Sequence, residues 1–196
     1  MAFNIKQARI MGGNYWQGTI VRLRGIEPED AEFFYQWNQE TETQRSLDRI
    51  WFPSSLERQR EWTAKKATKA LDDDGYFFVI ENPERIPVGM VHTRDCDPQN
   101  GTFSYAVALK AAHRRKGYAR EAVKMILNYY FQELRYHKVT VDIYDHNLAS
   151  IALHEHLGFS REGRLRQMRF AGGKYFDVLK YGLLRKEFIN FHSDSA

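Results

Sequence analysis

The clearest pattern in this chain is a strand-like alternation that runs directly into an amphipathic helix. From Thr102 to Leu109, large and small side chains alternate strictly, as in a β-strand. Apolar residues then recur at the spacing of one helical face, at positions 119, 122, 123, 126, 127, 130, 131 and 134. A second alternation over Lys138–Tyr144 predicts another strand. Because the helix joins the two strands, we expect them to be parallel neighbours in one sheet.

The same patterns predict the remaining elements. Further strands are expected near 19–24, 76–80, 88–93, 160–170 and 174–185. Further helices are expected over 28–38, 56–70 and 148–157, which brings the total to about four. The fold class is therefore α/β, or α+β, with a mixed sheet of about seven strands. No linker divides the chain, so we predict a single domain over 19–188, an N-terminal arm over 1–18 and a C-terminal tail over 189–196.

Composition excludes several classes of protein. At 196 residues and 43% hydrophobic, the chain is long enough for one domain with a substantial core. The single cysteine, Cys96, rules out an internal disulfide framework, and no apolar run approaches the roughly 18 residues of a membrane span. The first residues lack a signal-peptide core, so a cytoplasmic location is expected. With 29 basic and 25 acidic residues, charge neither requires nor excludes nucleic acid or a membrane surface.

The stretch between the first strand and the helix is a basic turn, residues 114–119, that is typical of phosphate binding. The first N–H groups of a helix have no intrahelical partner and lie at the positive end of its dipole, so they favour an anion. Gly117 lets the backbone approach a ligand closely. Positive charge is added by Arg114, Arg115, Lys116 and Arg120. Taken alone, the turn is equally typical of a solvated basic helix start.

Two motifs in this order and spacing resemble the acetyl-CoA-binding core of the GCN5-related N-acetyltransferase (GNAT) family. Arg114-x-x-Gly117-x-Ala119 is similar to the pyrophosphate loop of that family. Asn147-x-x-Ser150-x-x-Leu153-x-x-x-Leu157-Gly158-Phe159 is similar to its segment after the following strand. The ending from 173 to 185 resembles the branch that holds ribosomal-protein N-terminal acetyltransferases and spermidine acetyltransferases. The resemblance covers roughly residues 19–188 and implies a sheet splayed at its centre.

The resemblance implies acetyl-CoA as the cosubstrate and no metal. Main-chain groups of Val107, Ala108 and Leu109 would pair with the pantetheine arm, and Asn147 would hydrogen-bond it beside Ser150. The pyrophosphate would lie on the turn and the first helical residues, namely Arg114, Arg115, Lys116, Gly117, Tyr118, Ala119 and Arg120.

Two departures from the family pattern concern catalysis. Ser104 stands where many relatives carry a glutamate that helps to deprotonate the amine. Serine cannot do this unaided, so a water relayed by Ser104 with His92 or Asp142 is the candidate substitute. His154 stands where many relatives carry a tyrosine that protonates the departing thiolate, and an imidazole can donate that proton. In the rival interpretation, each of these is an ordinary strand or helix residue.

Two functional hypotheses follow. The leading one is an acetyl-CoA-dependent N-acetyltransferase acting on a primary amine, which is a protein N-terminus, a polyamine or a small molecule. The departure at Ser104 also favours a non-catalytic acyl-CoA-binding or sensing module. Binding of nucleic acid through the basic turn is disfavoured because the cofactor would occupy that turn. Family habit predicts a homodimer, and no membrane partner is expected.

The region that would select the acceptor is less defined. Four aromatic residues either line an acceptor pocket or pack helices onto the sheet: Trp37, Trp51, Phe52 and Trp62. Asp95 and Asp97 either attract a cationic amine or serve as turn residues.

Overall fold

The computed structural model describes residues 14–47, 49–70 and 73–193. Over these residues the strands form one seven-stranded sheet in the order β1-β2-β3-β4-β5-β7-β6. The strands are β1 (Arg22–Gly25), β2 (Phe77–Glu81), β3 (Pro87–Asp97), β4 (Thr102–Leu109), β5 (Lys138–Tyr144), β6 (Ser160–Ala171) and β7 (Lys174–Leu184). The helices are α1 (Ala31–Trp37), α2 (Thr41–Leu47), α3 (Leu56–Ala67), α4 (Tyr118–Asn128), α5 (Leu148–Glu155) and α6 (Arg185–Ser193).

The predicted fold class and the number of strands are confirmed, whereas the described chain has six α-helices instead of about four. The short helix α2 was missed because its sequence has a single apolar residue and so no apolar period. The helix α6 was missed because it follows β7 without a turn, so the sequence predicted a longer strand and a tail from 189. Most of the predicted N-terminal arm, residues 1–13, lies outside the described residues.

The pairing of β4 with β5 sets up the site. The two strands are parallel, as the crossover pattern predicted, but they pair only from Thr102 opposite Lys138 to Ser104 opposite Thr140. Beyond these residues, β4 stays paired with β3 as far as Leu109, and β5 stays paired with β7 as far as Tyr144. The sheet therefore parts along its centre, and we call the space between the two strands the gap.

The two faces of the sheet are covered differently. On one face, the apolar side of α4 is fully buried at Ala122, Val123 and Ile126, and it packs over the large side chains of β4. On the other face, α1 and α3 pack their apolar side chains over β2 and β4. Past β4 on that second face, the side chains of Asp142 and Lys180 are 41% and 42% exposed. On this second face, helices cover the strands up to β4, whereas β5 and β7 are accessible to solvent at Asp142 and Lys180.

A helix that spans a membrane must be both long and apolar. None of the helices in residues 14–47, 49–70 and 73–193 is both long enough and apolar enough to cross a bilayer.

Candidate active site

The basic turn follows the carboxyl end of β4, at the end of the gap that is away from the last β4–β5 pair. Gly117 is the N-cap of α4 and has a φ of +83°, and Arg115 has a φ of +61°. Left-handed residues in a turn direct successive N–H groups to one side, which makes a concavity for an anion. A Cβ at position 117 would lie 3.1 Å from Cδ1 of Ile20. The conformation of the backbone therefore favours glycine at position 117, and a larger residue there would also have to displace the end of the Ile20 side chain.

The basic side chains of the turn separate into two groups. Arg115, Lys116 and Arg120 are exposed at the start of α4, where they can meet phosphate oxygens. Arg114 turns back instead: its Nε donates to the carbonyl of Leu109 at 3.3 Å, and its Nη2 donates to Oγ1 of Thr43 at 2.6 Å. Arg114 therefore ties the turn to α2, a helix that the sequence did not predict.

The predicted pantetheine-binding residues face each other across the gap. Val107, Ala108 and Leu109 lie on β4 beyond its last pair with β5, where an extended arm could add as a strand. On the other side, Asn147 caps α5, and its Oδ1 accepts a hydrogen bond from the Ser150 amide at 3.1 Å. The structure thus brings residues 107–109 and Asn147, which are far apart in sequence, to the two sides of the gap.

His154 is buried on the face of the sheet that α4 covers, against Tyr105. The side chain is only 3% exposed, and its Nδ1 donates to the carbonyl of Ser150 at 2.7 Å. Burial lowers the pKa of His154, although the bond to Ser150 raises it in part. The ring is therefore neutral at neutral pH, with a lone pair at Nε2 that has no partner among the described residues. Such a ring passes on a proton after accepting one, and does not carry one beforehand.

Tyr105 lies against His154 and was not singled out from the sequence. The two rings stack with their centroids 5.7 Å apart, and Phe159 meets the His154 ring edge-on at 5.0 Å. The Tyr105 hydroxyl has no hydrogen-bond partner among the described residues, and burial raises its pKa well above the ordinary value. A buried tyrosine in a strand alternation is usually a packing residue, so only the tertiary structure shows that both stacked rings carry a polar atom without a partner among the described residues.

A polar groove of about 230 Å³ lies at the closed end of the gap, on the face away from α4. Its lining includes Arg94, Asp95, Ser104, Thr140, Asp142 and Lys180. The Nζ of Lys180 donates to Oδ1 of Asp142 at 2.6 Å. Two residues from the catalytic hypothesis, Ser104 and Asp142, therefore share this groove, together with Arg94 and Lys180, which the sequence did not indicate.

His92 does not line the groove. Its ring stacks on Phe77, with 3.7 Å between the centroids and 11° between the planes. Burial, followed by the charges of Lys66 and Arg94, lowers the pKa of His92 to about 4. The ring is neutral at neutral pH and packs against β2, which favours the packing interpretation for this residue.

Of the aromatic and acidic residues considered for the acceptor pocket, some are buried in packing contacts and others are exposed. Trp37 is buried against Phe34, and Trp62 meets Phe34 and Phe77 edge-on, so both pack helices onto the sheet. Trp51 and Phe52 are exposed. Asp97 accepts hydrogen bonds from the backbone and side chain of Asn100, which is a turn role.

The remaining chemical groups to consider are the Cys96 thiol and clusters of side chains that could bind a metal. Burial raises the pKa of the Cys96 thiol to about 11, so it stays protonated and unreactive. In the described parts of the chain, no group of three or more His, Cys, Asp or Glu side chains is placed to hold a metal ion.

Comparisons with known proteins agree with this geometry. Residues 21–160 match the acetyltransferase (GNAT) domain. The SPbeta prophage-derived uncharacterized N-acetyltransferase YokL of Bacillus subtilis (strain 168) is 41% identical over 178 residues, which are 91% of this chain and 97% of that protein. The spermidine N(1)-acetyltransferase of Vibrio cholerae serotype O1 is 26% identical over 168 residues, or 86% of this chain and 95% of that one.

A solved structure shows the same fold. The crystal structure of spermidine N-acetyltransferase from Vibrio cholerae in complex with CoA and spermine matches with a TM-score of 0.77 and 24% identity. The match covers 88% of this chain and 100% of that one. A sheet parted between two parallel strands, with a basic turn at the open end, is typical of coenzyme A-dependent acyltransferases. The chain belongs to the GNAT acetyltransferase family, and the N-acetyltransferase class predicted from the sequence is confirmed.

Proposed function

We propose that this chain transfers the acetyl group of acetyl-CoA to a primary amine by direct attack in a ternary complex. The observation that carries the proposal is the pairing of β4 with β5, which stops after Ser104 and Thr140. An extended pantetheine arm can enter the gap from the basic turn and lie along Val107 and Leu109. Its thioester then reaches the closed end, beside the polar groove.

Positioning supplies most of the proposed catalysis. Holding amine and thioester in attack geometry can contribute about 7–11 kcal/mol of the barrier. A backbone amide of β4 near Val107, on the side towards the closed end, can stabilise the oxyanion that develops on the thioester carbonyl. The exposed cations Arg115 and Lys116, with the amides up to Ala119, would hold the pyrophosphate at the far end of the cofactor.

The acceptor is proposed as a class. A relative that covers most of this chain is named for spermidine, so polyamines are the first amines to test. A protein N-terminus and a small-molecule amine remain the other two candidates. The homodimer and the cytoplasmic location expected from the sequence stay predictions.

The test measures cofactor binding and transfer separately. Isothermal titration with acetyl-CoA reports binding, and thiol release together with mass spectrometry reports transfer to spermidine, a peptide with a free N-terminus, or kanamycin. We expect acetyl-CoA to bind and at least one amine to be acetylated. Binding of acetyl-CoA without amine-dependent release for any acceptor would contradict transfer and favour the acyl-CoA-binding module.

A further inference from the structure

Many relatives carry a glutamate at the position of Ser104, and this chain lacks it. The groove at the closed end of the gap nevertheless contains carboxylates from other positions. Ser104 has no titratable group near neutral pH, so it cannot take a proton from an ammonium ion. Two carboxylates line the groove, on Asp95 and Asp142. One of them is placed where an attacking amine has to pass.

Asp142 lies at the point where the two strands part. Thr140 is the last residue of β5 that pairs with β4, and Asp142 follows it by two positions. Since side chains alternate along a strand, Asp142 projects from the same face as Thr140 and its register partner Ser104. This is the face that α4 does not cover, and the Asp142 side chain is 41% exposed there. An amine arriving from solvent can therefore reach both the carboxylate and the closed end of the gap.

Lys180 fixes the position of this carboxylate. It is the register partner of Asp142 on β7, and its Nζ lies 2.6 Å from Oδ1 of Asp142. An ionised carboxylate accepts hydrogen bonds at two oxygens, so an ion pair at Oδ1 leaves capacity at Oδ2 for a second donor. Asp142 is thus held in one orientation while it can still accept a proton.

The other candidate bases are placed less well. Asp95 has a left-handed φ of +51°, its carboxylate is 3.8 Å from Arg94, and its side chain is 71% exposed. It lies on β3, which is not one of the two strands that form the gap. The His92 ring packs on Phe77 and does not line the groove.

We propose that Asp142, held by Lys180, is the base that takes a proton from the acceptor amine, in place of a glutamate at position 104. The proposal rests on the proposed function of this site. Asp142 accepts one proton from the ammonium group, which frees the nitrogen lone pair. The nitrogen attacks the thioester carbon, the C–S bond breaks as the carbonyl re-forms, and the second N–H proton passes to the departing sulfur. The products are the acetamide and coenzyme A, and the proton on Asp142 returns to solvent.

The test compares Asp142→Asn with a matched control, Glu162→Gln, which removes a carboxylate that pairs with another strand lysine, Lys138, at 2.8 Å and does not line the groove. With the amine that native protein acetylates best, we expect Asp142→Asn to lower kcat roughly 100-fold, the low end of general-base effects. Its dissociation constant for acetyl-CoA and its melting temperature should stay close to native values. Glu162→Gln should keep kcat within about twofold of native, and Asp142→Glu should restore part of the activity.

Lys180 is tested as a positioning residue. Lys180→Gln should lower kcat less than Asp142→Asn, because the base is present but no longer held. Lys180→Arg should restore most of the loss, which a residue that only stabilises the sheet would not show without a matching change in melting temperature.

Three outcomes would overturn the proposal. If the Asp142→Asn protein keeps kcat within threefold of native, Asp142 is not the base. A loss of kcat that is matched by weaker acetyl-CoA binding or by a lower melting temperature shows a structural role instead. If native protein binds acetyl-CoA but acetylates no amine, the proposed function itself fails, and this outcome is seen before any variant is measured.

Discussion

The basic turn and the groove lie at opposite ends of the same gap, and they are built in opposite ways. The turn consists of consecutive residues, 114–119, and its backbone conformation at Arg115 and Gly117 is the basis of the proposed anion site. The groove is made of side chains from β3, β4, β5 and β7, from Arg94 to Lys180. A local site can be predicted from a local motif, whereas an assembled site depends on how strands pair.

The contrast predicts different sensitivities. A change in the backbone of the turn should weaken cofactor binding and leave the groove intact. A change in a groove side chain should lower turnover and leave cofactor binding intact. The three tests that follow run from the largest expected effect to the smallest.

Gly117→Val would break the turn at its most constrained residue. A β-branched residue at a φ of +83° is strained by up to about 3 kcal/mol, and relief of that strain moves the amides that face the phosphate. We expect acetyl-CoA to bind roughly 150-fold more weakly, as measured by isothermal titration. Gly172→Val is the control, because Gly172 has a φ of +56° and nothing within 4 Å of a Cβ. Equal losses of acetyl-CoA affinity in the two variants would contradict the role of the turn.

His154→Phe tests the buried histidine that stands at the position of the family's proton-donating tyrosine. Phenylalanine keeps the ring that stacks on Tyr105 but removes Nε2, the atom that can relay a proton to sulfur. We expect kcat to fall about 100-fold with little change in acetyl-CoA affinity. His156→Phe changes an exposed histidine of the same helical region and should be nearly neutral. Turnover that is unchanged across pH in the His154→Phe protein would remove this residue from the mechanism.

His92→Phe tests a neighbour of the groove that packs instead of reacting. The folded chain lowers the pKa of His92 to about 4, from an unfolded value near 6.5. Between these values the unfolded chain binds a proton that the folded chain does not, so the free energy of unfolding falls as pH falls. Between pH 7 and pH 4.5, we expect the titration of His92 to lower the free energy of unfolding of native protein by about 1 kcal/mol. This value allows for the partial exposure of the ring, which weakens the contribution.

Urea unfolding at pH 7 and pH 4.5 measures this difference. The His92→Phe protein keeps the stack on Phe77 but loses the titration, so its stability should change less between the two pH values. Identical pH dependences in the two proteins would contradict the assignment. Turnover at pH 7 should stay within about twofold of native, because His92 does not line the groove.

Much of the fold could be predicted because its pattern is local. The strands Thr102–Leu109 and Lys138–Tyr144 begin and end where the alternation predicted. The strand predicted over 88–93 extends to Asp97, because Asp97 still pairs with Thr102 across the following turn. The helix predicted from the apolar period up to position 134 is α-helical as far as Asn128 and then continues as a π-helical turn, Tyr129–Glu133.

The site could be predicted only in part. The order of the two motifs and the crossover indicated that the turn and Asn147 would lie beside the same gap, and they do. The bridge from Arg114 to Thr43 could not be predicted, because α2 has no apolar period. The pairing of Asp142 with Lys180 could not be predicted either, because their register depends on how β7 returns to β5.

The sequence by itself determined the strand, turn and helix of the proposed anion site, because each depends on neighbouring residues: an alternation, a glycine and an apolar face. The tertiary structure alone decided where β4 and β5 part and which side chains meet at that point, and it left polar atoms of Tyr105 and His154 without a partner among the described residues. Those features depend on strand register, which joins residues that are far apart in the chain.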